Sequence, residues 1–358
     1  MKRLITPACL VVICLLVLAE LGARIFFAQD ISGRFDYGYN PQAGFAEHGD
    51  GTVELFRAGG RRFYPQTFQR HRPPGVFRIF VIGDSVPRGP SLPGAYPWLL
   101  GAELRQHGLR AESINLAVPG YGPRRCQVVL QKALEYDPSL IILHLDDYNK
   151  WEDEREWRRS QEFQGWHPRH WLMKSFIFRR LYEAKMEKIF WTLVPEEIRL
   201  RYAANDVDAQ VAAGADPQEI GARIKLAYDT ALENVAMVRA RHIPIIIVTQ
   251  CRLEEDAHHR LSLTDHGLDA LGKSLAGPGV YHVSMKEVLS GQDIKQIFTN
   301  FSGHMHQEGH QLLARALGAK IETERAAGGI PGPRVAVAEK PRDGKASTPA
   351  VPTVLLNP

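Results

Sequence analysis

The chain has 358 residues, 44% of them hydrophobic, enough for one core of roughly 200 to 250 residues plus appendages. Its 44 Lys and Arg against 40 Asp and Glu leave a formal net charge of +4, with the two signs interleaved along the chain. That pattern lacks the clustered basic footprint of a nucleic-acid-binding protein, so no nucleic-acid partner is expected.

The first thirty residues differ in kind from the rest. Lys2 and Arg3 precede an uninterrupted apolar run from Pro7 to Ala19, and Glu20 and Arg24 follow it. The run suits a signal-peptide core, whereas about twenty residues are needed to span a bilayer. No small-x-small cleavage site is evident, and Glu20 and Arg24 stand at i,i+4 spacing where they can pair near the far interface. Residues 1–28 are therefore expected to be an uncleaved membrane anchor, with a cleaved signal as the alternative. Either one exports the remainder, and Lys2 and Arg3 would stay on the cytoplasmic side.

Residues 29–75 are polar and Gly-rich with scattered aromatics, and read as a lead-in without regular structure. A periodic α/β pattern then begins. Phe77 to Ile82 is a nearly all-apolar strand fit for the middle of a parallel sheet. A helix over Ala95 to His107, a strand over Ala111 to Leu116 and a helix over Pro123 to Tyr136 follow. Further strands are expected over Leu140 to Leu145, Ile243 to Thr249 and, weakly, Gly279 to Val283. Helices fall at about Ile224 to His242 and Gln307 to Glu324. The prediction is a doubly wound, flavodoxin-like α/β domain over 76–325, with a five-stranded parallel sheet and helices on both faces.

An insert of about residues 151–216 interrupts this pattern and holds Trp151, Trp157, Trp166, Trp171 and Trp191. It reads as a helical subdomain with its own aromatic core, or as a cap over the site. After Arg325 the composition turns to Gly, Pro, Ala, Lys and Thr, and residues 326–358 are expected to be disordered. Cys126 and Cys251 read as two buried free thiols, although an exported location permits a disulfide.

In open parallel sheets ligands bind beyond the carboxyl ends of the strands. Ser85 follows the first strand there, Asn115 to Gly120 the second and Asp146 to Asn149 the third, while His304 precedes the last helix. A serine nucleophile needs a base and donors aimed at an oxyanion, and these segments can supply both. No G-x-S-x-G elbow occurs, which argues against an ordinary α/β-hydrolase. "HMHQEGH" places His306 and His310 at i,i+4, but its glutamate, Glu308, does not follow the first His as a zincin requires; no metal is expected.

"IGDSVPRG", "INLAVPGYG" (Ile114 to Gly122), "YDPSLIILHLDDYNKW" and "FSGHMHQEGHQLLARAL" resemble, in order, blocks I, II, III and V of the SGNH (GDSL-type) hydrolases. The lead-in "RRFYPQTFQRHRPPGVFRIFVIGDS" behind an apolar N-terminus is also similar to membrane-anchored bacterial members. The resemblance covers about residues 75–150 and 225–320. It implies Ser85 as nucleophile, His304 as base, and Ser85, Gly120 and Asn149 as oxyanion donors. It implies no cofactor, and an ester substrate such as an O-acylated envelope carbohydrate or a lipid.

Two departures stand out. The family's His follows an Asp by two or three residues, where this chain has Ser302 and Phe301; Asn300 is no carboxylate. Strand alignment puts Tyr148 at the block III Asn, and Asn149 fits only with a shift of one. Asp146, Asp147 or a backbone carbonyl remain candidates to orient His304. The expected function is an exported ester hydrolase or acyl transferase acting on a periplasmic glycan or lipid ester. The alternative is a catalytically degenerate domain that binds a polysaccharide or partner protein.

Overall fold

The structure is a computed structural model describing residues 7–26, 38–58, 61–146 and 217–331, together with Asp153, Trp157, Ser175, Ile177 and Phe178. Within it, unbroken apolar runs form the centre of a sheet. Strand β4 (Phe77–Ile82) is buried along its whole length, as are β6 (Leu140–Leu145) and β7 (Ile245–Thr249). With β5 (Ala111–Asn115) and β10 (Val280–Ser284) they form a five-stranded, all-parallel sheet in the order β10-β7-β6-β4-β5. The fold class expected from the sequence holds. Connections run outward in both directions from β4 and β6, so the carboxyl ends of these two strands flank the topological switch point.

Alternate side chains of β4 serve opposite cores. Phe77, Ile79 and Val81 meet α3 (Tyr96–Gln106) and α9 (Gln307–Ala326) through Leu100, Leu104, Leu313 and Leu317. Phe80 and Ile82 meet α4 (Pro123–Ala133) and α5 (Pro217–Arg239) through Val129, Leu130, Val235 and Val238. This is the two-faced burial that all-parallel sheets require.

The lead-in corrects the expectation of irregular structure for 29–75. Strands β1 (Phe45–Glu47), β2 (Thr52–Ala58) and β3 (Arg61–Gln69) form an antiparallel sheet in the order β1-β2-β3. Two features hide it from a period-two reading. The register shifts between Leu55 and Arg57. Arg61 is fully buried, donating to the carbonyls of Gly38 (3.2 Å), Pro41 (3.2 Å) and Ala43 (2.7 Å) beside the rings of Phe45 and Phe63. The sheet docks on the domain through Phe68, edge-on to Phe80 and Tyr136, and through Glu47, which accepts from Lys132 Nζ and Tyr136 Oη, each at 2.8 Å.

A hairpin of β8 (Arg252–Glu255) and β9 (Leu261–Thr264) follows β7, and then α6 (Leu268–Leu275), α7 (Met285–Leu289) and α8 (Ile294–Ile297). The chain stays folded past 325: Ile330 is buried against the α9 core, which shortens the tail expected to be disordered. Residues 332–358 and most of the 151–216 insert lie outside the described residues. Both Cys126 and Cys251 are buried free thiols.

Helix α1 (Pro7–Phe26) exposes Leu10, Val11, Val12, Ile13, Leu15 and their neighbours, and Glu20 accepts from Ser175 Oγ (2.9 Å) and the Ile177 amide (3.1 Å). Among the described residues, no helix is long and apolar enough to cross a membrane. Anchoring by residues 1–28 is therefore a proposal rather than a property of the fold.

Candidate active site

The turn after β4 is built around a residue that admits no side chain. A Cβ on Gly83 would lie 2.7 Å from Pro87 Cγ and 2.8 Å from His144 Cβ. Asp84 then caps the short helix α2 (Ser85–Arg88), its Oδ1 accepting from the Val86 amide at 3.1 Å, which is the structural role its position suggests. Ser85 is the first residue of that helix, so its own N–H has no partner within the helix. Asn115, at the end of β5, donates from Nδ2 to the Pro87 carbonyl (3.0 Å) and accepts the Ala117 amide (3.0 Å). With the Val118 amide on the Gly83 carbonyl (3.0 Å), it ties the 115–120 loop to the nucleophile turn.

His304 arrives from the loop between α8 and α9. A Cβ on Gly303, whose φ is +87°, would stand 2.4 Å from the Cys251 carbonyl oxygen, so this close passage is open to glycine alone. His304 Nε2 lies 2.8 Å from Ser85 Oγ, across 219 positions of sequence. Its other nitrogen, Nδ1, meets Asn300, 3.1 Å from Oδ1 and 2.9 Å from Nδ2. Asn300 Oδ1 also accepts the amides of Ser302 (3.0 Å) and His304 (3.3 Å), which orients the side-chain amide. The position left empty by Phe301 and Ser302 is thus filled from one residue further back.

Beneath the loop runs a buried polar chain. Gln250 Nε2 donates to the Ser302 carbonyl (3.0 Å), which leaves its Oε1 to accept from His144 Nε2–H at 3.1 Å. His144 Nδ1 then accepts from Tyr96 Oη–H at 3.2 Å. His310 Nδ1 accepts the Tyr96 amide at 3.3 Å. His310, in the first turn of α9, is 1% exposed. Burial pushes His144 down to about 3 and His310 down to about 4, the latter helped by His304, so both are neutral supports.

The second loop is held from the insert. Gly120 has φ of +76°, and its carbonyl accepts from the Arg125 guanidinium. Arg125 Nε in turn donates to Asp153 Oδ1 at 2.6 Å. Asp153 also accepts the amides of Gly122 (3.1 Å) and Arg124 (2.6 Å), giving α4 the N-terminal carboxylate that its own cap residue, Gly122, cannot supply. Nothing in the sequence marked Asp153 for this task, because it is brought in from 28 residues away. Asn149, expected at the oxyanion, lies outside the described residues, as do Asp147 and Tyr148. Asp146 pairs with Arg252 at 2.7 Å. Its charge raises the pKa of His304, but burial outweighs it and the net shift is downward.

A base must be unprotonated, so this shift fixes the acid limb of activity. The rate is expected to be level near neutrality and to fall as pH drops through a value below 6.5, as kcat/KM profiles would record. Stability should fall in the same direction. His144 and His310 take protons near 6.5 when unfolded and only near 3 and 4 when folded, so their contribution is complete above 6.5 and is lost as pH falls. At pH 5 each has given up about 2 kcal/mol, measurable as a lower melting temperature.

No protein-family model matches the chain, and no curated protein matches it. Solved structures do. A GDSL-like lipase from Bacteroides thetaiotaomicron VPI-5482 is 9% identical, over 69% of this chain and 88% of that one, with a TM-score of 0.37. A lipolytic protein of the G-D-S-L family from Veillonella parvula DSM 2008 is 12% identical, over 69% and 98%, with a TM-score of 0.38. A mutant acetyl-xylooligosaccharide esterase from Geobacillus stearothermophilus is 15% identical, over 67% and 91%, with a TM-score of 0.39. Independently of these, the fold brings Ser85 and His304 into hydrogen-bond contact on the parallel sheet that the SGNH resemblance implies.

Proposed function

We propose that the protein is an SGNH-type serine hydrolase acting on ester bonds. The observation that carries this reading is the 2.8 Å approach of His304 Nε2 to Ser85 Oγ at the carboxyl edge of the sheet. In the reaction, Ser85 Oγ attacks the acyl carbon while its proton passes to Nε2. The tetrahedral oxyanion is met by the Ser85 and Gly120 amides, with Asn149 as the expected side-chain donor. Collapse breaks the bond to the leaving alcohol, which takes the proton from Nε2–H and leaves an acyl-serine. Water, deprotonated by His304, then releases the acid; an alcohol acceptor in its place would give transfer.

The substrate in this reading is an O-acyl ester of an envelope carbohydrate or lipid. The exposed apolar face of α1, behind Lys2 and Arg3, supports a membrane-associated location with the domain on the extracytoplasmic side. The second reading, a non-catalytic binding domain, is favoured by one feature: an amide rather than a carboxylate meets His304 Nδ1. A fluorophosphonate probe decides between them. Labelling of the wild-type protein at Ser85, absent in Ser85→Ala and weak in His304→Ala, is expected. A folded protein that binds glycan yet never takes the label would reverse the assignment.

A further inference from the structure

Three arginines on the flank of the nucleophile helix meet no acid among the described residues. Arg57 and Arg62 are paired directly across β2 and β3, an arrangement that like charges ordinarily destabilise. Two residues on from Arg62, on the same side of the strand, Tyr64 donates from Oη to the Gly89 carbonyl at 3.0 Å. Arg88, one turn past Ser85 in α2, lays its guanidinium 3.9 Å from the centre of the Tyr64 ring and donates from Nε to the Arg62 carbonyl at 3.0 Å. Beyond that bond and its contact with Tyr64, the Arg88 guanidinium meets no described carboxylate. None of the three makes an ion pair with a described carboxylate, whereas Arg78, Arg125 and Lys132 each do. The crowding is also electrostatic: burial, then the charges of Arg57 and Arg62, lower the pKa of Arg88 even against the help of Tyr64.

We infer that Arg57, Arg62 and Arg88 form an anion-binding subsite that takes a carboxylate or phosphate carried by the substrate beside its ester. The inference rests on the esterase reading for its substrate, and on the antiparallel sheet for its geometry. Planar guanidiniums match either oxyanion with paired N–H donors, and a convergent set of them supplies both affinity and orientation. The lead-in sheet, which the sequence hid, thereby becomes one wall of the substrate site. It would select acidic esters over neutral ones.

The test compares three aryl acetates by release of the phenol: neutral methyl 4-acetoxybenzoate, 4-acetoxybenzoate and 4-acetoxyphenyl phosphate. In the full-length protein at low salt, at least one anionic ester should gain in kcat/KM over the neutral ester by about tenfold relative to Arg57→Gln/Arg62→Gln, and 0.5 M NaCl should erase most of that gain. Whichever anion gains more identifies the group. Equal anionic-to-neutral ratios in wild type and variant, unchanged by salt, would overturn the subsite while leaving the esterase reading intact. Should no ester be hydrolysed, calorimetry with 4-acetoxyphenyl phosphate on the Ser85→Ala protein judges the subsite alone. Binding weakened at least about fivefold by the Arg57→Gln/Arg62→Gln pair supports it, and equal or absent binding rejects it.

Discussion

Ser85→Ala and His304→Ala should each lower kcat on a short-chain aryl ester by about 10⁴-fold or more, and the double variant should be no slower than either. The reason is the single hydrogen bond between them. With His304 gone, Ser85 stays a neutral alcohol; with Ser85 gone, His304 has no proton to take from a nucleophile. Neither buried imidazole beside the site can stand in. His144 is engaged at both nitrogens and held down to about 3, and His310 is buried and held to about 4 with Nδ1 committed to the Tyr96 amide. Residual rate would come from the oxyanion donors and binding, which neither substitution touches. Losses that multiply in the double variant, or a His304→Ala protein that keeps most of its rate, would show that the two residues do not act as a unit.

How far the sequence reached can be judged element by element. The parallel sheet was legible because β4, β6 and β7 are short all-apolar runs bounded by polar turns, a pattern that arises where both faces are covered. The antiparallel lead-in was not. Its signal depends on alternation, and a buried arginine at 61 with a register shift after Leu55 breaks that alternation twice. Ser85 and His304 were legible through the order of their flanking motifs. The partner of His304 was missed for a geometric reason. The loop turns sharply at Gly303, and the Asn300 side chain reaches back to cap the amides of Ser302 and His304, which delivers it to Nδ1 from four positions away. The supports beneath were invisible as well. Gln250 and His144 sit at or near the ends of apolar strands, where a polar residue is ordinarily read as a strand stop, and only the fold shows that they join hands under Ser302. Asp153 belongs to a segment whose many charges gave no reason to single it out.

Asn300→Asp should raise kcat/KM on the same ester by about 10- to 100-fold at pH 8, part of the roughly 10⁴-fold that separates aspartate from asparagine in a serine triad. The argument lies in what the amide does to the imidazole. Nδ1–H can donate to Oδ1, which leaves Nε2 bare to take the serine proton. Alternatively, bare Nδ1 can accept from Nδ2, which puts the proton on Nε2 facing Ser85 and idles it. The second contact is the shorter, and Oδ1 already serves two backbone amides, so the idle tautomer competes well in the wild-type chain. A carboxylate has only acceptors: it abolishes the idle arrangement, keeps both backbone bonds, and stabilises the imidazolium formed in the transition state. The same charge raises the pKa of His304, so the acid limb of the rate profile should move to higher pH and the gain should shrink as the pH falls below it. Asn300→Ala should do the opposite, losing rate and leaving the Ser302 and His304 amides without their cap. An Asn300→Asp protein with an unchanged melting temperature, no gain in rate and an unmoved acid limb would mean that Nδ1 is governed by another group. Asp146, whose charge already reaches His304, would then be the residue to change.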